Sequence, residues 1–277
     1  MGQPLFLAEN FYNVSQFPAH TIVSAFATAP DQEAFRVGTA RRSILNGTRN
    51  ADPTNSLIVD VTADRIREAD IIVFDRNSDI AGKTVTLDVS SEVGVFDTRV
   101  FVETMPTDVV LGSSLNDPAH MIRTNEGAWL LKFPAVAGLY WRVAVTPLAS
   151  DSGRLGGVYL GKSFSPTHGG RLPFDDEETW LDFGVVRRGV PDNDVRFGRT
   201  GAFSMMMSGE AEWNEARRTF RELFGKGHPM WIAPDSDKAE RTWFGYNAPG
   251  SVGAAFSERP QGRSVVIRAD EYDPRLP

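Results

Sequence analysis

The sequence contains no cysteine and only four histidines among its 277 residues. A chain without cysteine forms no disulfide framework, no thiolate zinc site, no iron–sulfur cluster and no cysteine nucleophile. Acidic residues outnumber Lys and Arg by 36 to 29, which gives a net charge of −7. This charge disfavours a protein that holds nucleic acid by its phosphates. No apolar run approaches the ~18 residues that span a bilayer, so we expect no membrane segment.

Short segments rich in Val, Ile, Thr and Phe lie between the 25 glycines and 17 prolines, a pattern that predicts β-strands. In the first part of the chain, apolar and polar residues alternate over 84–89, so we expect a strand with one buried face and one solvent-exposed face. Short strands at this spacing predict a β-sandwich or jelly roll. The predicted strands here are 56–61, 69–74, 84–90, 98–103, 128–133 and 140–146.

The C-terminal part contains one convincing helical pattern, over residues 210–224. Its apolar residues recur at helical spacing, Ser208 is positioned to cap the start, and Gly225 ends the pattern. Strand-like runs flank it at 201–207, 229–233 and 263–269. We therefore predict a mainly β protein with two domains. These are a jelly-roll β-sandwich over 1–162 and a β-sandwich or barrel with one flanking helix over 163–277.

The segment from Gly156 to Ser163 matches the spacing of a phosphate-binding loop, G-x-x-x-x-G-K-S. Such a loop needs a helix directly after it, so that the helix N-terminus and the loop amides face the phosphate. Here the middle of the segment reads as a strand, and the residues after it cannot start a useful helix. We interpret the match as the last strand of the first domain, and we predict no cofactor.

Metal and catalytic patterns are equally weak. His20, His120, His168 and His228 lie far apart, so we expect isolated surface or interface histidines. Residues 75–79 imitate a calcium loop, but Ile80 replaces its glycine, and a solvated turn is the better account. The acidic cluster 175–178 reads as a solvated loop. A hydrolase built on that cluster is the least favoured interpretation. We predict no catalytic and no metal-binding residues.

Three consecutive methionines, Met205, Met206 and Met207, lie in a predicted strand. Neighbouring residues of a strand point to opposite faces, so at least one methionine must face away from the others. Either the strand is buried on both sides or one side meets a partner, and both alternatives remain open. These three residues are the candidate subunit or partner contacts. By contrast, Trp129, Trp141 and Trp231 lie inside strand patterns and are expected in the core.

The first domain resembles the galactose-binding, discoidin-like jelly roll in the order of its strands, over roughly residues 50–161. Leu57 stands where that family often has Trp, and the family's sugar- or lipid-binding loops have no counterpart here. The resemblance therefore implies the jelly-roll fold, but not the binding of a sugar or a lipid. The matching segments are 57–60, 69–74, 82–87, 96–97, 140–143 and 157–161.

Residues 201–232 resemble the β-sandwich-plus-helix unit of tailed-bacteriophage tube and tail-tip proteins, especially the distal tail protein. The match consists of a strand, the helix, the Leu-Phe-Gly-Lys-Gly sequence of 223–227 and a second strand at 228–232. Residues 4–10 and 125–129 also resemble phage virion proteins. This resemblance implies a structural protein, not an enzyme, of the virion of a long-tailed phage, made in the cytoplasm of the host bacterium.

The same resemblance implies a homo-oligomeric ring, a hexamer, that connects the tail tube to the tail tip. Its partners would be the tube, tail-hub and tape-measure proteins, with DNA only passing through the channel and no membrane. The alternative is a carbohydrate- or receptor-binding, lectin-like tail protein that acts in host attachment.

Overall fold

A computed structural model describes the fold, and the chain divides into two compact units. The first unit comprises residues 1–165, 231–243 and 274–277, and the second comprises 166–230 and 244–273. The predicted boundary after residue 162 lies close to the first break, whereas segment 231–243, predicted in the second domain, belongs to the first unit. The described residues are 2–13, 16–24, 48–49, 57–76, 78, 80–92, 95, 98–116, 120–146, 154–155, 157–171, 177–187, 190–226, 228–246, 254–259 and 262–271.

The fold is mainly β, which confirms the predicted class. Most strands are short, but three of them have 18 residues each. In chain order the strands are β1 (Leu5–Leu7), β2 (Thr21–Ser24), β3 (Thr48–Arg49), β4 (Leu57–Phe74), β5 (Thr84–Ser90), β6 (Thr98–Thr104), β7 (Ile122–Arg123), β8 (Trp129–Thr146), β9 (Arg154–Leu155), β10 (Val158–Gly161), β11 (His168–Arg171), β12 (Glu177–Arg187), β13 (Val190–Met207), β14 (Met230–Ala233), β15 (Trp243–Tyr246), β16 (Ala254–Arg259) and β17 (Gly262–Glu271).

A seven-stranded antiparallel sheet forms most of the first unit. Its order is β10-β4-β8-β5-β6, with β2 also paired to β4 and β7 to β8. β4 and β8 each join two segments that the sequence predicted as separate strands. The register between them shifts after Thr62 and resumes at Arg67, opposite Gly138. A β-carbon on Gly138 would overlap the side chain of Val89, so only glycine fits at this irregularity.

One apolar core receives residues from both halves of these long strands. Val59 and Val143 come from one half, and Phe74 and Leu131 come from the other half; all are buried in the same cluster. The sheet therefore folds over a single core, as a sandwich does. Trp141 lies at its centre, fully buried, with the ring of Phe11 at 5.8 Å. In the same unit, β1 pairs with β14, and the short strands β3 and β9 pair with each other.

An antiparallel sheet and a helix form the second unit. In the sheet, β13 pairs with β11, β12 and β17, and β17 also pairs with β15 and β16. The helical segment begins as α1 (Glu210–Ala216) and continues with π geometry over Arg217–Leu223 and 3₁₀ geometry over Phe224–Lys226. Trp213, Phe220 and Phe224 are buried. The predicted helix over 210–224 is thus confirmed in place, with a change of winding after its second turn.

The helix start differs from the prediction in its capping. Gly209 occupies the N-cap position, and Ser208 makes no cap bond to the helix backbone. Instead, Glu212 in the first turn accepts hydrogen bonds from the backbone N–H and the hydroxyl of Ser208, both at 2.6 Å. Burial alone would raise the pKa of Glu212, but these bonds and one from Thr167 lower it overall.

No helix in the described part of the chain is long and apolar enough to cross a membrane.

Candidate functional site

The sheet of the second unit has one buried face and one exposed face. On β13, Met205 and Met207 are buried, whereas Met206 between them is 57% exposed. On β17, Val265 is buried, and its neighbour Val266 is 39% exposed. This alternation follows from the two-residue period of a strand. The buried methionines make their contacts inside the unit, so Met206 carries the prediction of a partner contact.

Most of the residues paired with Met206 and Val266 on the exposed face have small side chains, and His168 is the exception. Met206 lies opposite His168 on β11 and Ser264 on β17, and Val266 lies opposite Ser204 and Ala255. Serine and alanine project little from a sheet, so Met206, Val266 and the exposed His168 stand out on this surface. We call this surface the Met206 face, and it consists of His168, Ser204, Met206, Ala255, Ser257, Ser264 and Val266.

The opposite face of the same sheet is covered by the helix. The ring of Trp213 packs edge-on against Phe256 with centroids 5.5 Å apart, and the guanidinium of Arg263 lies over the Trp213 ring. Arg263 also donates hydrogen bonds to Glu258, at 2.8 Å, and to Glu210. These contacts fix one side of the sheet.

The Met206 face combines a methionine with neighbours that are mostly small, and Arg268 is exposed on the same side of β17. Methionine and arginine are enriched in protein interfaces.

A second exposed apolar surface belongs to the first unit. Residues 109–111 form a tip in which Val110 is 64% and Leu111 is 79% exposed. The preceding backbone is held in place, because the indole N–H of Trp129 donates to the carbonyl oxygen of Pro106 at 3.0 Å. The guanidinium of Arg123 donates to the carbonyl oxygen of Thr107. The tip is therefore anchored, and its exposed side chains are aliphatic.

A row of alternating charges crosses the sheet of the first unit. Asp60, Arg142, Asp88 and Arg99 are successive cross-strand partners on β4, β8, β5 and β6. The buried carboxylate of Asp60 accepts two hydrogen bonds from Arg142, both at 2.8 Å, and one from the hydroxyl of Tyr140 at 2.7 Å. Hydrogen bonding to Asp60 raises the pKa of Arg142. With three donors engaged, Asp60 stabilises the sheet rather than serving as a free base.

The segment that resembles a phosphate-binding loop is a strand, as predicted. β10 pairs with β4 from Val158 opposite Phe74 to Gly161 opposite Ile71. The ammonium of Lys162 donates to Glu68, and the backbone N–H and hydroxyl of Ser163 both donate to Asp70. The lysine and serine that would hold a phosphate and its metal ion are thus engaged with carboxylates, which repel phosphate.

Gly161 has a structural role in this segment. A β-carbon there would overlap the carbonyl oxygen of Glu9 and lie 2.9 Å from its carbonyl carbon. Backbone atoms cannot swing aside as a flexible side chain can, so we expect Gly161→Ala to lower the free energy of unfolding by ~2 kcal/mol or more. Urea denaturation measures this loss. Gly209→Ala is the matched control, since a β-carbon there meets nothing within 4 Å. Equal losses for the two variants would contradict this role.

The described residues contain no group of three or more His, Asp or Glu side chains that could hold a metal ion. His120 and His168 are exposed and His228 is half-buried. The expectation of a surface or interface histidine is wrong for His20, which is buried and stacks on Phe17 with centroids 4.5 Å apart. The stacking partner Phe17 is only three residues away, but the hydrogen-bond partner Asp64 lies 44 residues along the chain, where sequence spacing gives no signal.

His20 connects the N-terminal segment to β4. Its Nδ1 lies 3.0 Å from the carbonyl oxygen of Phe11, and its Nε2 lies 3.2 Å from Asp64, which also accepts a hydrogen bond from Arg67. Burial lowers the pKa of His20. Burial alone would raise the pKa of Asp64, but the hydrogen bond and charge of Arg67 lower it overall.

These shifts predict acid sensitivity. The unfolded chain protonates this histidine near pH 6.5, and the folded chain does so only at lower pH. Stability should therefore fall as the pH drops below about 6.5. We expect His20→Phe, which keeps a ring against Phe17, to have a flatter profile over pH 5–7 in thermal melts. An unchanged slope would contradict the assignment to His20. The lowered pKa of Asp64 adds a further loss only in stronger acid.

Two other predicted features have mixed outcomes. The turn at 75–79 is not fully solvated, because Asp75 and Ser78 are buried; Asn77 and Asp79 lie outside the described residues. In the acidic cluster, Glu177 and Glu178 begin β12, so the loop prediction is wrong for them, and Asp175 and Asp176 lie outside the described residues. The core prediction is confirmed for all three tryptophans, Trp129, Trp141 and Trp231, which are buried.

The chain matches no protein-family model and no curated protein. Among solved structures it is similar to CpGH89CBM32-6 produced by Clostridium perfringens, with 10% identity and a TM-score of 0.38 over 55% of this chain and 98% of that one. It is also similar to chitosan-binding module 1 of a chitosanase/glucanase from Paenibacillus sp. IK-5, with 16% identity and a TM-score of 0.37. That match covers 55% of this chain and 98% of the module. A third is a GH29 fucosidase of Ruminococcus gnavus in complex with fucose, with 7% identity and a TM-score of 0.40 over 56% of this chain and 27% of the fucosidase.

Proposed function

We propose that this protein is a ring-forming structural component of a phage tail, at the distal tail or baseplate, and that it acts through protein–protein contacts. The Met206 face is the observation that carries the proposal. It places an exposed methionine and an exposed valine at diagonal positions of two paired strands, in a sheet whose other side is covered by a helix. Isolated exposed apolar residues are common, but neighbouring ones on one face of a sheet suit a protein interface.

A ring requires a head-to-tail contact that closes by rotation, so that the same two surfaces meet at every interface. The Met206 face would supply one of these surfaces. Burying Met206 and Val266 against another chain removes apolar area from water, which favours association at ~25 cal/mol per Å² before the entropy of association is subtracted. A ring at the distal tail or baseplate would be part of the virion, and its neighbours would be the tube, tail-hub and tape-measure proteins.

The overall charge is compatible with this role. A channel for DNA must let the phosphates slide, and a strongly basic wall would hold them. The net charge of −7 is compatible with such a wall. The DNA would then be a passing molecule, without a specific contact to any residue.

Negative-stain microscopy of the purified protein, alone and mixed with tail-hub and tube proteins, tests the proposal. We expect closed rings of this chain under at least one of these conditions. A 30.5 kDa monomer in every mixture would overturn it. Rings that persist when Met206 is replaced by Glu would leave the ring role standing and would reject the Met206 face as its contact.

The alternative from the sequence, a carbohydrate- or receptor-binding protein, makes a different prediction. Sugar rings are held by exposed aromatic side chains together with hydrogen-bonding groups. Among the residues whose side chains the structure describes, the large exposed apolar ones are Ile, Val, Leu and Met. A glycan array separates the two functions. Binding to a defined glycan by a protein that remains monomeric with tail proteins would favour the alternative.

A further inference from the structure

The contact between copies in a ring has two sides, and the Met206 face accounts for one of them. In a closed ring of identical chains, each contact joins one surface of a chain to a different surface of the next chain. The second surface must be exposed, apolar at its centre and complementary in charge to the first. The tip, residues 109–111, is the candidate, because the described residues contain no longer run of exposed large apolar side chains.

The tip is held rigidly enough to act as a preformed contact. Leu111 and Gly112 form a turn, and Gly112 has a φ of 76°, in the left-handed region that favours glycine. The hydroxyl of Ser113 donates to the carbonyl oxygen of Val110 at 2.7 Å, and the carbonyl oxygen of Ser113 accepts from the backbone N–H of Ala239 at 2.8 Å. A surface that is already ordered loses little conformational entropy when it binds.

The charges beside the two surfaces have opposite signs. Asp108 directly precedes the tip and is exposed, and the hydroxyl of Thr107 donates to its carboxylate at 3.0 Å. No residue of the Met206 face carries a negative charge. Arg268 is exposed on the same side of β17 and has no ion-pair partner in the described part of the chain. Each apolar surface thus has one flanking charge that the other surface can neutralise.

The spacing of charge and apolar side chain is also the same on both surfaces. Asp108 lies two residues before Val110, and Arg268 lies two residues after Val266. Two residues of extended chain span at most ~7 Å. When the apolar side chains of the tip lie on Met206 and Val266, the carboxylate of Asp108 is therefore within reach of the long side chain of Arg268.

We infer that the tip of one copy docks on the Met206 face of the next copy, with Asp108 paired to Arg268. This inference rests on the proposed function for the association of identical chains, and it deepens that function by naming what covers the Met206 face. Since two different surfaces meet, every chain can give its tip to one neighbour and its Met206 face to another. Such head-to-tail contacts continue until the ring closes.

A contact of this size is weak between two chains. The three side chains of the tip cover less than the ~800 Å² that each partner contributes to a standard interface. In a closed ring the last contact forms within one assembly, so its effective concentration is high and the ring is more stable than a pair. The Asp108–Arg268 pair lies at the edge of the contact, where a charge pair contributes orientation and specificity more than affinity.

Mixing two variants tests whether different surfaces meet. Leu111→Asp removes the tip contact, and Met206→Glu removes the other side. Leu111 is 79% exposed, so we expect a folded chain, and thermal melting verifies this for both variants. Each variant alone should stay monomeric by light scattering. An equimolar mixture should form complexes of two chains that increase with concentration, because one variant retains its Met206 face and the other retains its tip.

Charge reversal tests the ion pair. Asp108→Arg and Arg268→Asp should each raise the concentration of half-association roughly tenfold, because like charges then meet across the contact. The variant with both reversals should associate nearly like the wild type. Glu92→Arg and Arg221→Glu are the matched controls, since both residues are exposed outside the two surfaces. Both controls should also associate like the wild type.

The outcomes separate this inference from the proposed function. A wild type that stays monomeric, alone and with tail proteins, would overturn both. If Met206→Glu abolishes association while Leu111→Asp and the single reversals associate like the wild type, the proposed function stands and this inference fails. If the double reversal does not regain the association that the single reversals lose, the pairing of Asp108 with Arg268 is rejected.

Discussion

Met206→Glu should abolish association of the protein while leaving the fold intact. The side chain is 57% exposed, so a carboxylate there remains hydrated in the single chain. In an interface it would be buried opposite an apolar or small surface, which costs several kcal/mol unless a cation pairs with it. We expect a shift from oligomer to monomer by light scattering, with a melting temperature within a few degrees of the wild type.

Two controls make this result specific. Met206→Leu keeps an apolar side chain of similar volume and should associate like the wild type. Val102→Glu introduces the same charge on an exposed strand position of the first unit, where the valine is 48% exposed. It should also associate normally. Loss of association in all three variants, or in none, would show that the Met206 face is not the contact.

Arg142→Met should cause a large loss of stability. It leaves the carboxylate of Asp60 buried with only the Tyr140 hydroxyl as a donor. Breaking a buried ion pair from one side costs ~3–5 kcal/mol, and the partial exposure of Arg142 reduces this to roughly 2–3 kcal/mol. Urea unfolding should give a lower midpoint with an unchanged m-value.

The same sheet provides the control for this prediction. Arg99→Met removes an ion pair with Asp88 in the same row of charges, but the guanidinium of Arg99 is largely exposed. Its loss should therefore be far smaller than that of Arg142→Met. The double variant Asp60→Asn and Arg142→Met should regain part of the stability, since the unpaired buried charge is gone. Equal losses for the two arginines would contradict the assignment of Asp60 as a buried partner.

Much of the fold follows from local patterns in the sequence. The alternation in 84–89 correctly predicts β5, and the apolar spacing of 210–224 correctly predicts the helical segment. Separate strands at 56–61 and 69–74 could not be recognised as one strand, because the polar residues between them read as a loop. The strand continues there with a shift of register against β8, which resumes at Arg67 opposite Gly138, a pairing between residues far apart in sequence.

The surfaces are less accessible to sequence reasoning than the core. Alternation alone showed that one of Met205, Met206 and Met207 must face away from the others, but only burial identifies Met206. The long hairpin of β12 and β13 was not predicted either, because its register joins residues whose pairing no local pattern in the sequence shows.

Oxidative footprinting of the methionines tests the central claim, that this protein functions by association through the Met206 face. A thioether is oxidised to the sulfoxide when it is accessible, and Met205 and Met207 are buried internal controls in the same peptide. Rates would be measured by mass spectrometry for the dilute chain and for the assembled protein. The account predicts fast oxidation of Met206 in the dilute chain and at least tenfold slower oxidation in the assembly, with both neighbours slow throughout. Equal rates for Met206 in the two states would contradict it.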